Sequence, residues 1–357
     1  MRFKLVLSLG VGLIALLSGA HSRAQDQGQV CVTASGGSFQ DALRESIFKP
    51  FEKATGIKVV EAVFQPLAKT RAMINTGNPE CDIVMMVRTD YYVLLREGLL
   101  EKIDYDSINK KTFDDFPKGT VTPNGVGTFV YAKVIGFNTK HYTQENGPKS
   151  WADVWDVKKF PGPRMLDAGN FPGSPVESAL LADGVSPDKL YPLDLKRAYD
   201  AMARMKPYVV KWATTGAMQP EALVSGEAFI APSTLGRLQQ AKEQGAPVDY
   251  VWNQAVTNYD YWTILKGAKN YKNAVKFIEF ASRPESQAGV VKAQIVGPLN
   301  KRAFDLISPG RAKLLPTYPE HLAQAIEFNA EWWAQTDASG KSNLEKNNAM
   351  WNAFVLK

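Results

Sequence analysis

The chain has 357 residues and a formal net charge of +6, and 45% of the residues are hydrophobic and 22% charged. This length is more than one hydrophobic core usually covers, which favours two lobes. Without the three basic residues among the first 24 positions, 39 basic residues face 36 acidic ones, a formal charge of +3. A balance so near neutral gives no reason to expect nucleic acid or an anionic membrane as a partner.

The N-terminus has the three parts of a secretory signal peptide. A basic start at 1–4 precedes an apolar run at 5–17, which is followed by small and polar residues. The apolar run is too short to span a bilayer, and cleavage after Ala24 or Ala20 fits the pattern. Residues 1–24 are therefore predicted to be a signal peptide, and the mature chain is expected in the periplasm.

The first part of the mature chain alternates between apolar strands and amphipathic helices. The predicted elements are a strand at 30–34, a helix at 39–54, a strand at 57–60, a helix at 67–75 and a strand at 82–87. This order predicts a parallel, doubly wound α/β sheet.

The rest of the chain continues the alternation without a linker. Strands are predicted at 128–138, 165–167, 228–231 and 248–252, and helices at 150–155, 175–182, 195–205, 220–225, 236–245, 274–282 and through much of 319–354. Two α/β lobes without a linker predict that the chain crosses between them more than once. Such crossings form a hinge, and the gap between the lobes forms a cleft.

Cys31 and Cys81 are the only cysteines, and each immediately precedes a strand-like run. If the two strands are parallel neighbours, the cysteines lie side by side at a separation that a disulfide can close. Export would place them in an oxidising compartment, so a structural disulfide is predicted. A reactive thiol or a metal site is disfavoured because no histidine or third cysteine accompanies them.

The markers of catalysis and of cofactor binding are absent from the sequence. It contains no Gly-x-Ser-x-Gly elbow, P-loop or Gly-x-Gly-x-x-Gly, and His141 and His321 are far apart. Tyr91 and Tyr92 could bind ferric iron, but the helix-like run after them favours packing. We therefore expect no enzyme, cofactor or metal, with a ferric-iron binder and a secreted enzyme as lesser alternatives.

Six segments occur in the order found in the periplasmic solute-binding proteins of ABC importers. They are FEKATGIKV (51–59), CDIVMM (81–86), YYVLLREGLLEKID (91–104), VIGFNTKH (134–141), SWADVWD (150–156) and GAKNYKNAVKFIEFASRPESQ (267–287). Over nearly the whole mature chain, the sequence resembles in particular the spermidine/putrescine-binding branch of this family.

The resemblance implies the two-lobe, type II periplasmic-binding-protein fold, in which each lobe is a doubly wound, mainly parallel sheet. The first lobe is expected to comprise 25–136 and 259–305, and the second 137–258 and 306–357. It also implies a monomer that holds its solute in the cleft and docks on an ABC permease in the inner membrane.

In that fold the turn after the first strand faces the cleft. Here the turn consists of Ser35, Gly36, Gly37, Ser38 and Phe39. The resemblance therefore gives the glycines a role, since the backbone approaches the solute and helix N-terminal amides and serine hydroxyls are available as donors.

Polyamine binders of this family hold ammonium groups with carboxylates and sandwich the methylene chain between aromatic rings. Asp260 matches the acidic ligand position before the returning strand. On an extended segment it shares a face with Trp262, while Tyr259 and Tyr261 lie on the other face. The alternative is that Trp262 belongs to the core and Asp260 caps a turn.

The second-lobe positions match the polyamine pattern less closely. Asp167 and Glu177 fall near the expected acidic cluster with a different spacing, and Thr234 stands where a cleft tryptophan is expected. Fewer rings leave less surface against a long alkyl chain. We therefore expect a small amine-bearing solute, of the putrescine/spermidine type or shorter.

Arg88 raises an alternative within the same class of protein. It follows the strand at 82–87, at the carboxyl end where open α/β sheets bind ligands. A guanidinium there could clamp a carboxylate, so that with Asp260 the site would suit a zwitterion, such as a GABA-like ω-amino acid or an aminophosphonate. Equally, Arg88 could pair with Asp90 or be solvated.

Overall fold

The computed structural model describes residues 28–169 and 175–356. The predicted signal peptide, 1–24, lies outside the described residues. Within the described part of the chain, no helix is long and apolar enough to cross a membrane.

The described residues form strands and helices that alternate along most of the chain. The strands are β1 (Gln29–Ala34), β2 (Lys58–Val63), β3 (Ile83–Val87), β4 (Val121–Thr122), β5 (Gly125–Asn138), β6 (Arg164–Asp167), β7 (Val209–Ala213), β8 (Ile230–Thr234), β9 (Val248–Ile264), β10 (Gly297–Pro298) and β11 (Ile326–Glu327). The helices are α1 (Gly37–Leu43), α2 (Lys49–Thr55), α3 (Leu67–Asn75), α4 (Arg88–Arg96), α5 (Trp151–Trp155), α6 (Pro175–Ala182), α7 (Leu195–Met205), α8 (Met218–Ser225), α9 (Leu235–Glu243), α10 (Tyr271–Ala281), α11 (Pro284–Ala293), α12 (Pro309–Ala312), α13 (Pro319–Leu322), α14 (Ala330–Ala334) and α15 (Asn343–Val355).

The strands form one mixed sheet in the order β2-β1-β3-β9-β5-β8-β6-β7, with β4 and β10 paired to β5 and β11 paired to β9. β1 runs parallel to both β2 and β3, as the alternating pattern predicts. β6 is likewise parallel to β7 and β8. Each half of the sheet is therefore built from parallel strands, and the halves meet at an antiparallel pair.

That antiparallel pair, β5 and β9, connects the two lobes. β9 pairs with β3 at its carboxyl end, where Val87 faces Asp260, and β5 pairs with β8, where Lys133 faces Thr234. The two strands also pair with each other along most of their length. The chain thus crosses between the lobes more than once, and β11 adds a third connection by pairing with β9 at Val256 and Thr257.

The first lobe has its own core, built around the β1–β3 half of the sheet. Phe277 of α10 packs against Phe48 and Phe51, with ring centroids 5.7 and 5.3 Å apart. Two further clusters of buried residues fill the second lobe. Since the first cluster reaches Leu315, it extends past the predicted lobe bound at 305, and the exact bounds stay predictions.

The disulfide predicted from the strand order is confirmed. Val32 of β1 pairs with Ile83 of β3, which places Cys31 and Cys81 at the amino ends of neighbouring strands. Their Cα atoms are 4.7 Å apart, and the two residues are bonded.

The predicted helix over 39–54 is interrupted. α1 and α2 are separated by a π-helical turn, Arg44–Phe48. Pro50 lies just beyond this turn, and its missing N–H cannot bond the carbonyl four residues earlier, which favours a local change of helical register.

Candidate solute-binding cleft

The carboxyl ends of β1 and β3 lie at one edge of the first lobe. The turn after β1 contains Gly36 with φ 77° and Gly37 with φ 60°, a left-handed backbone that favours glycine. No heavy atom lies within 4 Å of a Cβ placed on Gly37, and Ser35 and Ser38 are exposed. Phe39 is half-buried and meets Phe129 edge-on at 6.1 Å. The turn is therefore open to solvent and can accept a polar group.

Asp260 lies on β9, beside the end of β3, and only 9% of its surface is exposed. Its Oδ1 accepts a hydrogen bond from the Tyr131 hydroxyl at 3.5 Å. Burial raises the pKa of Asp260 to about 7, although Tyr131 and Arg88 favour the charged form. Among the described residues, no cationic side chain lies within ion-pair distance of this carboxylate, so a bound cation would meet an uncompensated acceptor.

Asp90 is a second carboxylate at the same edge, in the first turn of α4. Burial raises its pKa to about 6, and its charge in turn raises the pKa of Asp260. A cation placed near both carboxylates would offset the cost that burial imposes on the charged form of each.

Arg88 is held by protein groups instead of lying at the rim. Its side chain is 7% exposed, and Nη1 is 3.0 Å from Glu327 Oε1. The same nitrogen donates to the Phe328 carbonyl at 3.2 Å and to Asn258 Oδ1 at 3.4 Å. The guanidinium also stacks over the Tyr259 ring, 4.1 Å from its centroid. The ion-pair partner of Arg88 is thus Glu327, and not the predicted Asp90.

The aromatic residues beside Asp260 alternate between the faces of β9, as predicted. The Tyr259 and Tyr261 hydroxyls are 3.2 Å apart, and the Tyr261 ring packs on Tyr91 at 4.1 Å. Trp262 is 1% exposed and lies edge-on to Phe277 at 5.6 Å, inside the first-lobe core. Its ring therefore does not face the cleft in this conformation, in agreement with the alternative that assigns it to the core.

The predicted second-lobe carboxylates have partners within the protein. Asp167 is 2% exposed, lies 3.0 Å from Lys133 Nζ, and accepts a hydrogen bond from Gln219. Glu177 is fully buried and accepts from Tyr191 at 2.6 Å and from Trp333 Nε1 at 2.8 Å. Burial raises the pKa of both carboxylates.

The second lobe presents a cation at the end of β8. Thr234 ends this strand, and Arg237 follows in the first turn of α9 with its side chain exposed. A Cβ placed on Gly216 would lie 3.8 Å from Thr234 Oγ1 and 3.9 Å from Arg237 Nε. Within the residues that the structure describes, no carboxylate is in ion-pair distance of Arg237.

The end of β8 also approaches the first-lobe turn. A Cβ placed on Gly236 would lie 3.4 Å from the Ile295 carbonyl oxygen. The neighbouring Gln294 donates from Nε2 to the Ser38 carbonyl at 3.1 Å. The segment at 294–295 therefore contacts both the Ser35–Phe39 turn and the first turn of α9, which carries Arg237.

The tyrosine pair considered for iron is engaged in packing. Tyr91 is 1% exposed, its hydroxyl lies 2.7 Å from Thr122 Oγ1, and the Tyr92 ring meets it edge-on at 5.2 Å. No cluster of three histidine, cysteine or acidic side chains in the described residues is arranged to hold a metal ion.

Comparison with known proteins identifies the class. A model of the bacterial extracellular solute-binding proteins matches residues 46–319. The gamma-aminobutyric acid-binding protein of Pseudomonas aeruginosa is 32% identical over 329 residues, covering 90% of this chain and 91% of the relative. The chain belongs to the bacterial extracellular solute-binding protein family.

Two further comparisons agree with this assignment. The spermidine/putrescine-binding periplasmic protein of Escherichia coli K12 is 28% identical over 349 residues, covering 94% of both chains. An ABC transporter substrate-binding protein from Bradyrhizobium japonicum has the same fold, with a TM-score of 0.84 and 33% identity over 92% of this chain and 99% of the other. The protein is thus the solute-binding component of an ABC transporter with the two-lobe type II fold, and not an enzyme.

Sequence reasoning missed two charged residues of this solute-binding protein as cleft candidates, Asp90 and Arg237. Both stand in the first turn of a helix that follows a strand, as Arg88 does at the start of α4. The rule that ligands bind beyond the carboxyl ends of parallel strands could have selected them. It could not rank them, because exposure and ion-pair partners depend on residues far away in the chain.

Proposed function

We propose that this protein binds a small solute carrying both an ammonium and a carboxylate group, such as GABA, in the interlobe cleft. The signal peptide predicted at 1–24 supports a periplasmic location, from which the protein would deliver the solute to its membrane permease. The observation that carries the proposal is the buried Asp260 carboxylate, which has no cationic partner among the described residues.

The solute's ammonium group is assigned to Asp260. A buried carboxylate without a cationic partner is costly, and a charge-assisted hydrogen bond from an ammonium group offsets this cost. Asp90 adds a second negative charge at the same edge. The two together favour a cation more strongly than either would alone.

The solute's carboxylate is assigned to Arg237. Arg88 is a weaker candidate, since Glu327, the Phe328 carbonyl and Asn258 already surround its Nη1. Arg237 is exposed and comes from the opposite lobe. A solute that joins Asp260 to Arg237 therefore contacts both lobes.

A polyamine is the second candidate, supported by the relative that binds spermidine and putrescine. A diamine needs a second carboxylate at a distance from the first. Of the two predicted second-lobe carboxylates, Asp167 forms an ion pair with Lys133 and accepts a hydrogen bond from Gln219. Glu177 accepts hydrogen bonds from Tyr191 and Trp333. This arrangement leaves them less available to an ammonium group and favours the zwitterion.

Calorimetry of the purified mature chain with GABA and with putrescine tests the proposal. We expect GABA to bind, and Asp260→Asn and Arg237→Gln each to weaken it by about 2 kcal/mol or more, because each removes one charged partner. Arg237→Gln should not weaken the binding of putrescine. Arg302→Gln, at an exposed arginine on another segment, serves as the matched control.

Two results would contradict the proposal. Binding of putrescine without binding of GABA would assign the site to a polyamine. Unchanged GABA affinity in Asp260→Asn would show that this carboxylate does not hold the solute.

A further inference from the structure

A chain of hydrogen bonds connects Arg88 to the Asp260 carboxylate. Arg88 Nη1 donates to Asn258 Oδ1 at 3.4 Å, and Asn258 Nδ2 donates to the Tyr131 hydroxyl at 2.9 Å. The Tyr131 hydroxyl then donates to Asp260 Oδ1 at 3.5 Å. This series of hydrogen bonds begins at the first residue of α4, passes through both crossing strands, β9 and β5, and ends at the proposed solute-binding carboxylate.

The chemistry of the donors gives this chain one direction. Arginine can only donate, and the backbone N–H of Tyr259 also donates to Asn258 Oδ1, at 2.9 Å. Because both of these donors lie on one side of the Asn258 side chain, its amide oxygen must face them. Its amide nitrogen then faces the Tyr131 hydroxyl. The Tyr131 oxygen then accepts from Asn258, so its own proton is left for Asp260.

The same arginine is anchored to the third connection between the lobes. It forms an ion pair with Glu327 of β11 at 3.0 Å and donates to the Phe328 carbonyl at 3.2 Å. Glu327 is itself paired with Thr257 of β9, and the Phe328 N–H donates to the Thr257 carbonyl at 2.9 Å. The orientation of Arg88 therefore depends on the hinge segment at 326–328.

We propose that Arg88 is a positioning residue: acting through Asn258 and Tyr131, it keeps a hydrogen-bond donor directed at Asp260 and links that carboxylate to the hinge segment. This inference deepens the proposed function and rests on the role given there to Asp260. It assigns Arg88 no contact with the solute.

A titration of Asp260 in the unliganded protein tests the proposal without requiring any solute. Its carboxyl carbon is followed by NMR in the wild type, Arg88→Met, Tyr131→Phe and the double variant. Burial has the largest effect on the titration midpoint, and three facing residues shift it further, namely Tyr131 on β5 and Arg88 and Asp90 on α4.

Each single substitution is expected to raise the midpoint by about one pH unit, because the charged form loses a donor or a nearby positive charge. The double variant should shift it by less than the sum, since both residues act partly through one chain. Additive shifts would overturn the proposal. So would an unchanged midpoint in Arg88→Met.

Arg96→Met is the matched control for lost packing. Arg96 lies on the same helix and donates to the Ala334 carbonyl of the same C-terminal region at 2.7 Å, but it takes no part in the hydrogen bonds that connect Arg88 to Asp260. We expect this variant to leave the midpoint unchanged. An equal shift in Arg96→Met and Arg88→Met would reduce the role of Arg88 to general packing and overturn the proposal.

Two further variants keep the test valid if Arg88→Met does not fold. Asn258→Leu removes the middle link while both charges stay in place, and it should raise the midpoint in the same direction. Arg88→Lys keeps a donor and a charge, and it should restore part of the wild-type behaviour. An unchanged titration midpoint of Asp260 in Asn258→Leu would overturn the proposal that these hydrogen bonds connect Arg88 to Asp260.

The affinity for GABA as a function of pH separates this inference from the proposed function. Arg88→Met should weaken binding near neutral pH by up to about tenfold, and the loss should disappear once the pH is high enough to ionise Asp260 in the variant. A loss that persists at every pH would indicate direct contact with the solute and overturn the inference. Failure of the wild type to bind GABA would contradict the proposed function alone, because the NMR titration would still decide the role of Arg88.

Discussion

Replacing Asp260 by asparagine is expected to stabilise the unliganded protein at pH 8 while it weakens solute binding. The ordinary pKa of an aspartate is 3.8, and burial raises that of Asp260 to about 7. Since one pKa unit corresponds to 1.36 kcal/mol, ionising this carboxylate in the folded protein costs about 4 kcal/mol at pH 8. Asparagine has a similar shape and carries no charge, so it avoids this cost.

The effect has a defined dependence on pH. Between the unfolded and folded pKa values, the folded protein binds more protons than the unfolded chain, so stability falls as the pH rises from about 4 to about 7. At pH 5 the cost has reached only about 1.6 kcal/mol. The advantage of Asp260→Asn should therefore grow by about 2.5 kcal/mol between pH 5 and pH 8.

Urea unfolding of wild type and variant at the two pH values measures this difference. The subtraction cancels the contribution of other buried acids such as Glu177, which is present in both proteins. Asp305→Asn, at an exposed aspartate, should change stability by less than about 0.5 kcal/mol at either pH. A stability difference that does not change with pH, or a variant less stable than wild type at pH 8, would refute the reasoning.

Two other predictions concern the fold and its motion. Replacing Cys31 and Cys81 together by serine should lower the free energy of unfolding by about 2–4 kcal/mol, because the disulfide closes a loop with a sequence separation of 50. Urea unfolding measures this loss, and an unchanged unfolding midpoint would contradict the prediction. Saturating GABA should reduce the radius of gyration in small-angle scattering, since a solute that contacts both lobes binds the closed form better, whereas Arg237→Gln should reduce this compaction.

The elements with strong local signals could be predicted from the sequence. The helices predicted at 67–75, 175–182 and 195–205 have the same bounds as α3, α6 and α7. α7 shows why, since its apolar residues recur on one face and Asp194 caps its start by accepting from the Arg197 N–H. Such signals lie within a few residues of the element and need no tertiary information.

Elements that depend on distant partners were predicted poorly. The strand predicted at 248–252 extends to Ile264, because β9 continues past an irregularity at Gln254, where φ is 59°. β7 was missed because it is a short edge strand in which Val210 and Lys211 are exposed. The helical pattern predicted over 319–354 is broken by β11, which forms only through its pairing with β9.

The candidate site shows the same limit. The resemblance to the family selected Asp260, and the alternation along β9 placed its neighbours on the correct faces. The sequence could not show that Arg88 pairs with Glu327, which lies more than 200 residues further along the chain. Nor could it show that Trp262 packs against Phe277 in the core. The alternation along a strand predicts which face of the sheet a side chain lies on, but not which helix packs on that face.

The cost of burying Asp260 gives a physical reason for the type of solute proposed. An ammonium group placed beside this carboxylate supplies the cation that the described residues lack, so binding recovers free energy that the unliganded fold gives up. Asp260 belongs to a strand shared by both lobes, whereas Arg237 belongs to α9 of the second lobe. A solute with charges of both signs can satisfy these groups together only when the lobes hold them at a fixed distance. Under the proposed function, recognition of a zwitterion and closure of the cleft would be two consequences of the same pair of charges.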